Sequence, residues 1–334
     1  MKIAVDKHVN DHSPSNYDLW ALLDATGFAV YRLRELELAE FDLTIEQAAV
    51  LRLLKAVRRG MTVAQIQEFT LRRQNSISIL INRMVRMDLA TKERQPGERD
   101  LTIHITEEGR RLLKKIPATC LEEAFSELGE ERKRELARLL RSLHGKARSL
   151  LVPDRPPFMQ YVTGDIRTAP PPEENNNDLA PSDYGLWSQL DSTRFAISRL
   201  RELELAPFGL TVEQASILRV LSNEAGSLTF RDIEDVSLRQ HHSVSTLVNR
   251  MTKMGLARIE AKPGRKRYRV FITPKGKKLL AEVKTIAVDM VFSSLTRTEK
   301  QELWVSLLSV HHTARDLLGA SEVGSEVSAG RRDG

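Results

Sequence analysis

Apolar side chains recur every three or four positions along much of the chain, and that rhythm predicts its elements. From 17 to 39, Trp20, Leu23, Phe28, Leu33 and Leu36 stand at broadly helical spacing, predicting a first helix that Phe41-Asp-Leu ends. Thr44-Ile-Glu-Gln47 reads as a capping box, whose hydroxyl and amide satisfy otherwise unpaired backbone N–H groups. It opens a second helix ending near Gly60, and a third, short one starts near 62, again at a threonine. A fourth covers 73–88, with Ile77, Leu80, Met84 and Met87 turned inward. The period then shortens: strands Leu89–Arg94 and Leu101–Thr106 flank a Pro96-Gly97 turn. Thr106-Glu-Glu-Gly109 caps a long fifth helix, and a sixth runs from about 130 to 150.

The whole succession then returns. Asn16–Leu151 overlays Asp183–Leu318 at one constant offset without a gap, with roughly 58 of about 136 positions identical. Arg32–Ala39 and Arg199–Ala206 both read RLRELELA. The second copy predicts helices over 184–206, from Thr211-Val-Glu-Gln214 and from 229. Another covers 240–255, with Val244, Leu247, Met251 and Met254 inward. Strands Leu256–Ala261 and Tyr268–Thr273 follow, then a helix capped by Thr273 and a last one over 298–318. Helices followed by a strand-turn-strand make each copy a winged helix-turn-helix, so the expected class is mainly α with small β-wings (α+β). The expected boundaries are an N-terminal extension 1–15, domains 16–151 and 183–318, and a flexible tail 319–334. Residues 152–182, with PDRPPF and TAPPPEENNND, make a Pro/Asn-rich linker.

Composition adds limits. A chain of 334 residues exceeds the usual size of one core, in keeping with two domains. No apolar run approaches the roughly 18 residues of a membrane span, and the N-terminus has no signal-peptide stretch, so a cytoplasmic protein without a membrane partner is expected. The single cysteine, Cys120, excludes an intrachain disulfide and agrees with a reducing compartment. Net charge is +6, but its location says more than its size. Residues 71–99 hold seven Arg/Lys against three acids, and 238–266 hold seven against one; together these windows exceed the whole chain's charge.

Those windows contain the fourth helix of each copy and its hairpin. Off the apolar stripe the first shows Arg72, Arg73, Gln74, Asn75, Ser76, Ser78, Asn82, Arg83 and Arg86. The second shows Arg239, Gln240, His241, His242, Ser243, Ser245, Asn249, Arg250 and Lys253. A helix face of short polar and basic side chains suits the major groove, where base edges present donors and acceptors. Residues at the helix start are placed for bases, and Arg72/Arg239, Arg83/Arg250 and Arg86/Lys253 for phosphates. Hairpin tips with Arg99, and with Arg265, Lys266 and Arg267, suit backbone or minor-groove contact.

The run from Leu43-Thr-Ile-Glu-Gln-Ala48 through Asn82-Arg-Met84 to Ile105-Thr-Glu-Glu-Gly109, with its second copy, resembles the MarR family of bacterial regulators. The resemblance implies six helices with a wing, dimerising through the first, fifth and sixth helices. It implies binding of pseudo-palindromic operators, usually as a repressor relieved by a small ligand. Arg99 and Lys266 fall at the family's wing arginine, but Gly97 and Gly264 replace the acid usual two positions earlier. With both copies in one chain, the resemblance implies an intrachain pseudo-dimer that reads an imperfect palindrome on double-stranded DNA. Trp20, Trp187 and Tyr31 are candidates for a small-molecule effector cleft; Trp20 and Trp187 repeat and suit a core, whereas Tyr31 is replaced by Ser198.

Other chemistry finds little footing. Adjacent histidines, His241-His242 and His311-His312, point to different helix faces with no ligand cluster beside them, so no metal is expected. No phosphate loop or nucleophile elbow is present, so neither an enzyme nor a cofactor is expected. The alternative is an adaptor whose winged helices bind protein rather than DNA.

Overall fold

The computed structural model describes residues 13–70, 74–94, 100–151, 181–223, 227–238, 241–261 and 268–329, without the side chains of 69, 74, 75, 223 and 321–329. The expected linker from 152 to 180 and most of the N-terminal extension lie outside the described residues.

The elements run α1 (Asn16–Ala39), α2 (Ile45–Ala56), β1 (Met61–Thr62), α3 (Val63–Thr70), α4 (Gln74–Arg86), β2 (Ala90–Arg94), β3 (Leu101–Ile105), α5 (Glu107–Lys115), α6 (Thr119–Ala124) and α7 (Glu130–Leu151). Then follow α8 (Asp183–Leu205), α9 (Val212–Asn223), β4 (Ser227–Thr229), α10 (Phe230–Ser237), α11 (His241–Lys253), β5 (Ala257–Ala261), β6 (Tyr268–Ile272), α12 (Pro274–Glu282), α13 (Ile286–Phe292) and α14 (Arg297–Ala329). Among the described residues the protein is mostly helical with two small antiparallel sheets, ordered β1-β3-β2 and β4-β6-β5. Each has winged-helix layout.

The helix starts follow the expected chemistry. Thr44 N–H donates to Gln47 Oε1 at 2.9 Å while Gln47 N–H donates to Thr44 Oγ1 at 3.3 Å, and Thr211 with Gln214 repeats the exchange. Such a cap contributes about 1 kcal/mol. Thr106 and Thr273 cap α5 and α12 by accepting from Gly109 and Gly276 N–H, each at 3.0 Å. Only glycine fits there, since an added Cβ would lie 2.5 Å from Leu89 O and 2.3 Å from Leu256 O.

Three expectations need correction. The sheets have a third strand each, β1 and β4, pairing with β3 and β6 through Met61 with Ile103 and Leu228 with Val270. The long fifth helix is broken into α5 and α6, and again into α12 and α13. Ile116 and Val283 are extended at these breaks, at φ −71°, ψ 117° and φ −75°, ψ 113°. Pro117 imposes this on Ile116, because a proline disfavours helical backbone in the residue before it. The second copy has no proline at its break. There Arg201, 2% exposed, donates from Nη1 to Lys284 O at 2.9 Å, and Glu204 accepts from Ala287 N–H at 3.3 Å. Arg34 and Glu37 do the same for Pro117 O at 2.8 Å and Cys120 N–H at 3.1 Å. Each arginine also pairs with its own glutamate, so a buried ion pair satisfies the backbone groups that the break exposes. Finally, α14 continues to Ala329 where a fraying tail was expected beyond 318.

The chain divides into two compact units that interleave the sequence repeats. One carries α4 and comprises Ala29–Arg141, Val152–Ser192 and Leu308–Gly334; the other carries α11 and comprises Met1–Phe28, Ser142–Leu151 and Thr193–Leu307. In the α4 unit, Arg52 of α2 lies over the Tyr184 ring of α8 at 3.9 Å, and Lys133 pairs with Asp183 at 2.6 Å. In the α11 unit, Arg219 of α9 lies over the Tyr17 ring of α1 at 3.8 Å, and Asn16 Nδ2 donates to Asp289 Oδ1 at 2.9 Å. Each unit is thus completed by helix ends from the other repeat.

Candidate nucleic-acid interface

Burial decides which face of α4 and α11 is free. Ile77, Ile81 and Met84, and Val244, Val248 and Met251, are all 0% exposed. The inward stripe therefore runs through Ile81 and Val248; the expected Leu80 and Leu247 are half-buried beside it. In the α11 unit the stripe packs into a core with Leu218, Leu221, Ile233, Leu256 and Val270. Met87 and Met254 serve another purpose: their sulfurs accept from Gln47 and Gln214 Nε2 at 3.3 and 3.5 Å, tying the end of α4 or α11 to α2 or α9.

Opposite this stripe, Ser76, Asn82, Arg83 and Arg86 are exposed on α4, with Ser78 half-buried. On α11, His241, His242, Asn249, Arg250 and Lys253 are exposed, with Ser243 and Ser245 half-buried. Gln74 and Asn75 occupy the first turn of α4, their side chains undescribed. Arg72, Arg73, Arg239, Gln240 and the hairpin-tip residues Arg99, Arg265, Lys266 and Arg267 lie outside the described residues. Arg83 and Arg86, like Arg250 and Lys253, fall in the last turn of their helices, where cations also offset the negative end of the helix dipole.

Two polar contacts here had no sequence signal. Lys92 of β2 donates to Asn82 Oδ1, drawing that asparagine toward the hairpin. Glu234 of α10 pairs with His241 Nδ1 at the start of α11, and Ser245 Oγ lies 3.5 Å from His241 Nε2. Seven residues separate Glu234 from His241 across a turn, and in that turn Leu238 adopts a left-handed φ of 52°. The equivalent positions in the first repeat are Gln67 and Gln74, so this carboxylate–imidazole contact has no counterpart at those two positions.

Of the candidate cleft residues, Trp20 and Trp187 are core side chains, 2% and 4% exposed. Tyr31 is half-buried, and its hydroxyl donates to Glu46 Oε1 at 3.2 Å; burial, followed by the Glu46 charge, pushes its pKa well up. The Cys120 thiol donates to Glu37 Oε2 at 3.0 Å, and burial with that carboxylate pushes its pKa up to about 12. Such a thiol is almost wholly protonated at neutral pH, the opposite of what an oxidant-sensing cysteine needs. Among the described residues, no cluster of three or more His, Cys, Asp or Glu could hold a metal, and no helix is long and apolar enough to cross a membrane.

Residues 208–267, which span α9 to the second hairpin, match the MarR family. No curated protein matches the chain. Among solved structures, an organohalide-sensing transcriptional regulator bound to 2,4-dichlorophenol is 27% identical, over 40% of this chain and 81% of its own, with a TM-score of 0.37. A MarR-family regulator from Rhodococcus sp. RHA1 is 20% identical over 39% and 92%, with a TM-score of 0.35. A Bordetella bronchiseptica protein whose DNA binding is regulated by 6-hydroxynicotinic acid is 20% identical over 31% and 76%, with a TM-score of 0.29.

Proposed function

We propose that the chain is a sequence-specific, non-enzymatic regulator of transcription of the MarR type, whose two fused domains pair within one polypeptide and read one DNA duplex. The observation that carries this reading is the pair of helices α4 and α11. Each has a fully buried apolar stripe, and each exposes asparagine, arginine and short polar side chains opposite it. Reciprocal contacts support pairing: Tyr184 of the second repeat under Arg52 of the first, and Tyr17 of the first under Arg219 of the second. Two heads a helical turn apart, roughly 34 Å, would meet successive major grooves. The heads differ at Gln74-Asn75 against His241-His242 and at exposed Ile79 against Thr246, so the preferred operator is an imperfect palindrome.

Repression relieved by a small ligand completes the proposal. Buried donors without a partner collect in the α4 unit: Arg34 Nε and Nη2, Arg52 Nε and Trp187 Nε1. Arg52 stacks on Tyr184, whose ring lies 5.4 Å from Trp187, so these groups are neighbours. Unsatisfied buried donors are costly and favour an acceptor-rich ligand. Their counterparts Arg201, Arg219 and Trp20 have no such atoms, which supports one effector site per chain, beside Tyr31.

Footprinting of full-length protein on genomic fragments tests the reading. The expected result is protection of two unequal half-sites, with affinity falling steeply with salt as counterions are released. A symmetric optimum indifferent to exchanging the heads would contradict unequal reading. Duplex binding without salt dependence would favour the protein-binding adaptor.

A further inference from the structure

Gly27 and Arg194 occupy equivalent positions of α1 and α8, and in the α11 unit they meet each other. A Cβ added to Gly27 would lie 2.6 Å from Arg194 Cδ and 3.2 Å from its Nε, so the arginine stem fills the space above the glycine. Beyond it the guanidinium reaches Asp24, with Nη1 3.6 Å from Oδ1. The surroundings are tight: Thr26, Ala29, Thr193 and Ala196 are 0% exposed, and Thr26 Oγ1 donates to Leu307 O at 3.3 Å.

A two-fold dimer places equivalent residues of its two subunits against one another near the axis, so identical subunits must accept identical partners there. Here the partners are opposites in volume. We propose that Arg194 seated on Gly27 is a selectivity device that makes the first-repeat helix accept a second-repeat helix and reject a copy of itself. The inference rests on the pairing of repeats proposed above. Like-with-like association fails from both sides. Two second repeats would bring two Arg194 stems into a space that holds one. Two first repeats would leave a void above Gly27 and remove the cation beside Asp24. Against a second-with-second pair volume, not charge, discriminates, because Asp191 stands where Asp24 does.

Thermal unfolding of full-length variants tests the contact. Glycine to alanine inside a helix ordinarily stabilises. Gly27→Ala is expected to lower Tm in the native background and to raise it in an Arg194→Ala background, while Gly27→Arg/Arg194→Gly regains most of what Gly27→Arg loses. An increase in Tm for Gly27→Ala alone, or strictly additive effects, would overturn the contact. Selectivity is read by co-expressing two differently tagged full-length chains and isolating one tag. Arg194→Gly is expected to raise the captured fraction of the other tag at least several-fold; an unchanged fraction would overturn selectivity. Tyr17→Ala and Tyr184→Ala separate the two readings. If they leave Tm unchanged, the pairing itself fails; if they lower it while the 27/194 variants behave additively, only the selectivity device fails.

Discussion

In the α4 unit Arg34 and Glu37 hold the gap between α5 and α6; in the α11 unit Arg201 and Glu204 hold the gap between α12 and α13, with matching atoms and distances within about 0.2 Å, as the paired values 2.8 and 2.9 Å, and 3.1 and 3.3 Å, show. The capping threonines, the buried glutamines and the glycines under α5 and α12 agree as closely. Elsewhere the repeats part: Gly27 against Arg194, Tyr31 against Ser198, Gln67 and Gln74 against Glu234 and His241. Agreement lies in devices that each repeat uses to fold; divergence lies at the α1–α8 contact and at the positions proposed to meet an effector or DNA. On the proposed pairing such divergence is expected, since two halves of one chain need not be identical as the subunits of a homodimer must.

If the clamp is shared machinery, breaking it should cost both repeats alike. Arg34→Ala and Arg201→Ala are each expected to destabilise by about 3–5 kcal/mol, because a glutamate is left buried without its cation. Denaturant midpoints check this, and a large cost in one repeat alone would break the comparison.

Acid should weaken the fold through one buried histidine. Burial of His311, joined by the Arg315 and His312 charges, pushes its pKa down to about 4. The unfolded chain takes up this proton as pH falls below about 6.5, while the folded chain does not until about 4. Stability is therefore full above the unfolded value and lost between about 6.5 and 4, by up to ~3 kcal/mol. His311→Asn should flatten this slope in denaturation series at pH 7, 6 and 5; an unchanged slope would assign the acid lability elsewhere.

At the heads, His241→Gln with His242→Asn should shift the preferred operator toward symmetry, by about 1–3 kcal/mol of base discrimination. Arg83→Ala and Arg250→Ala should instead weaken binding to all sequences and reduce the salt slope by about one. Competition binding on symmetric and asymmetric duplexes separates these effects. Smallest is Asp88, a non-glycine at φ 55° where the other repeat has Gly255 at φ 69°. Asp88→Gly should stabilise by up to about 1 kcal/mol, since a left-handed backbone costs an L-residue roughly 1–2 kcal/mol and glycine gives back part of that as entropy.

The same contrast marks what the chain discloses before it folds. Capping boxes and proline-glycine turns act within a few residues, and so the starts of α2 and α5 and the bounds of the hairpin strands were legible to within a few positions. The two-residue β1 has no periodicity to read; its partners Ile103 and Thr102 lie some forty positions on. The break before α13 has no proline, and the side chain that satisfies its free carbonyl, Arg201, lies 83 residues away. Whether Leu80 or Ile81 faces inward depends on where the core lies, because both fit a three-or-four spacing after Ile77. On α4 and α11, the helix and the polar character of its exposed side were legible, whereas Glu234 beside His241 needed the packing of α10 on α11.

The account stands most directly on the mass of the complex between full-length protein and one operator duplex, taken by light scattering across a salt series. It predicts one chain of 37.9 kDa per duplex, with a salt slope that falls by about one when Arg83 or Arg250 is removed and by about two when both are. Two chains on every duplex, or a slope indifferent to either arginine, would contradict it.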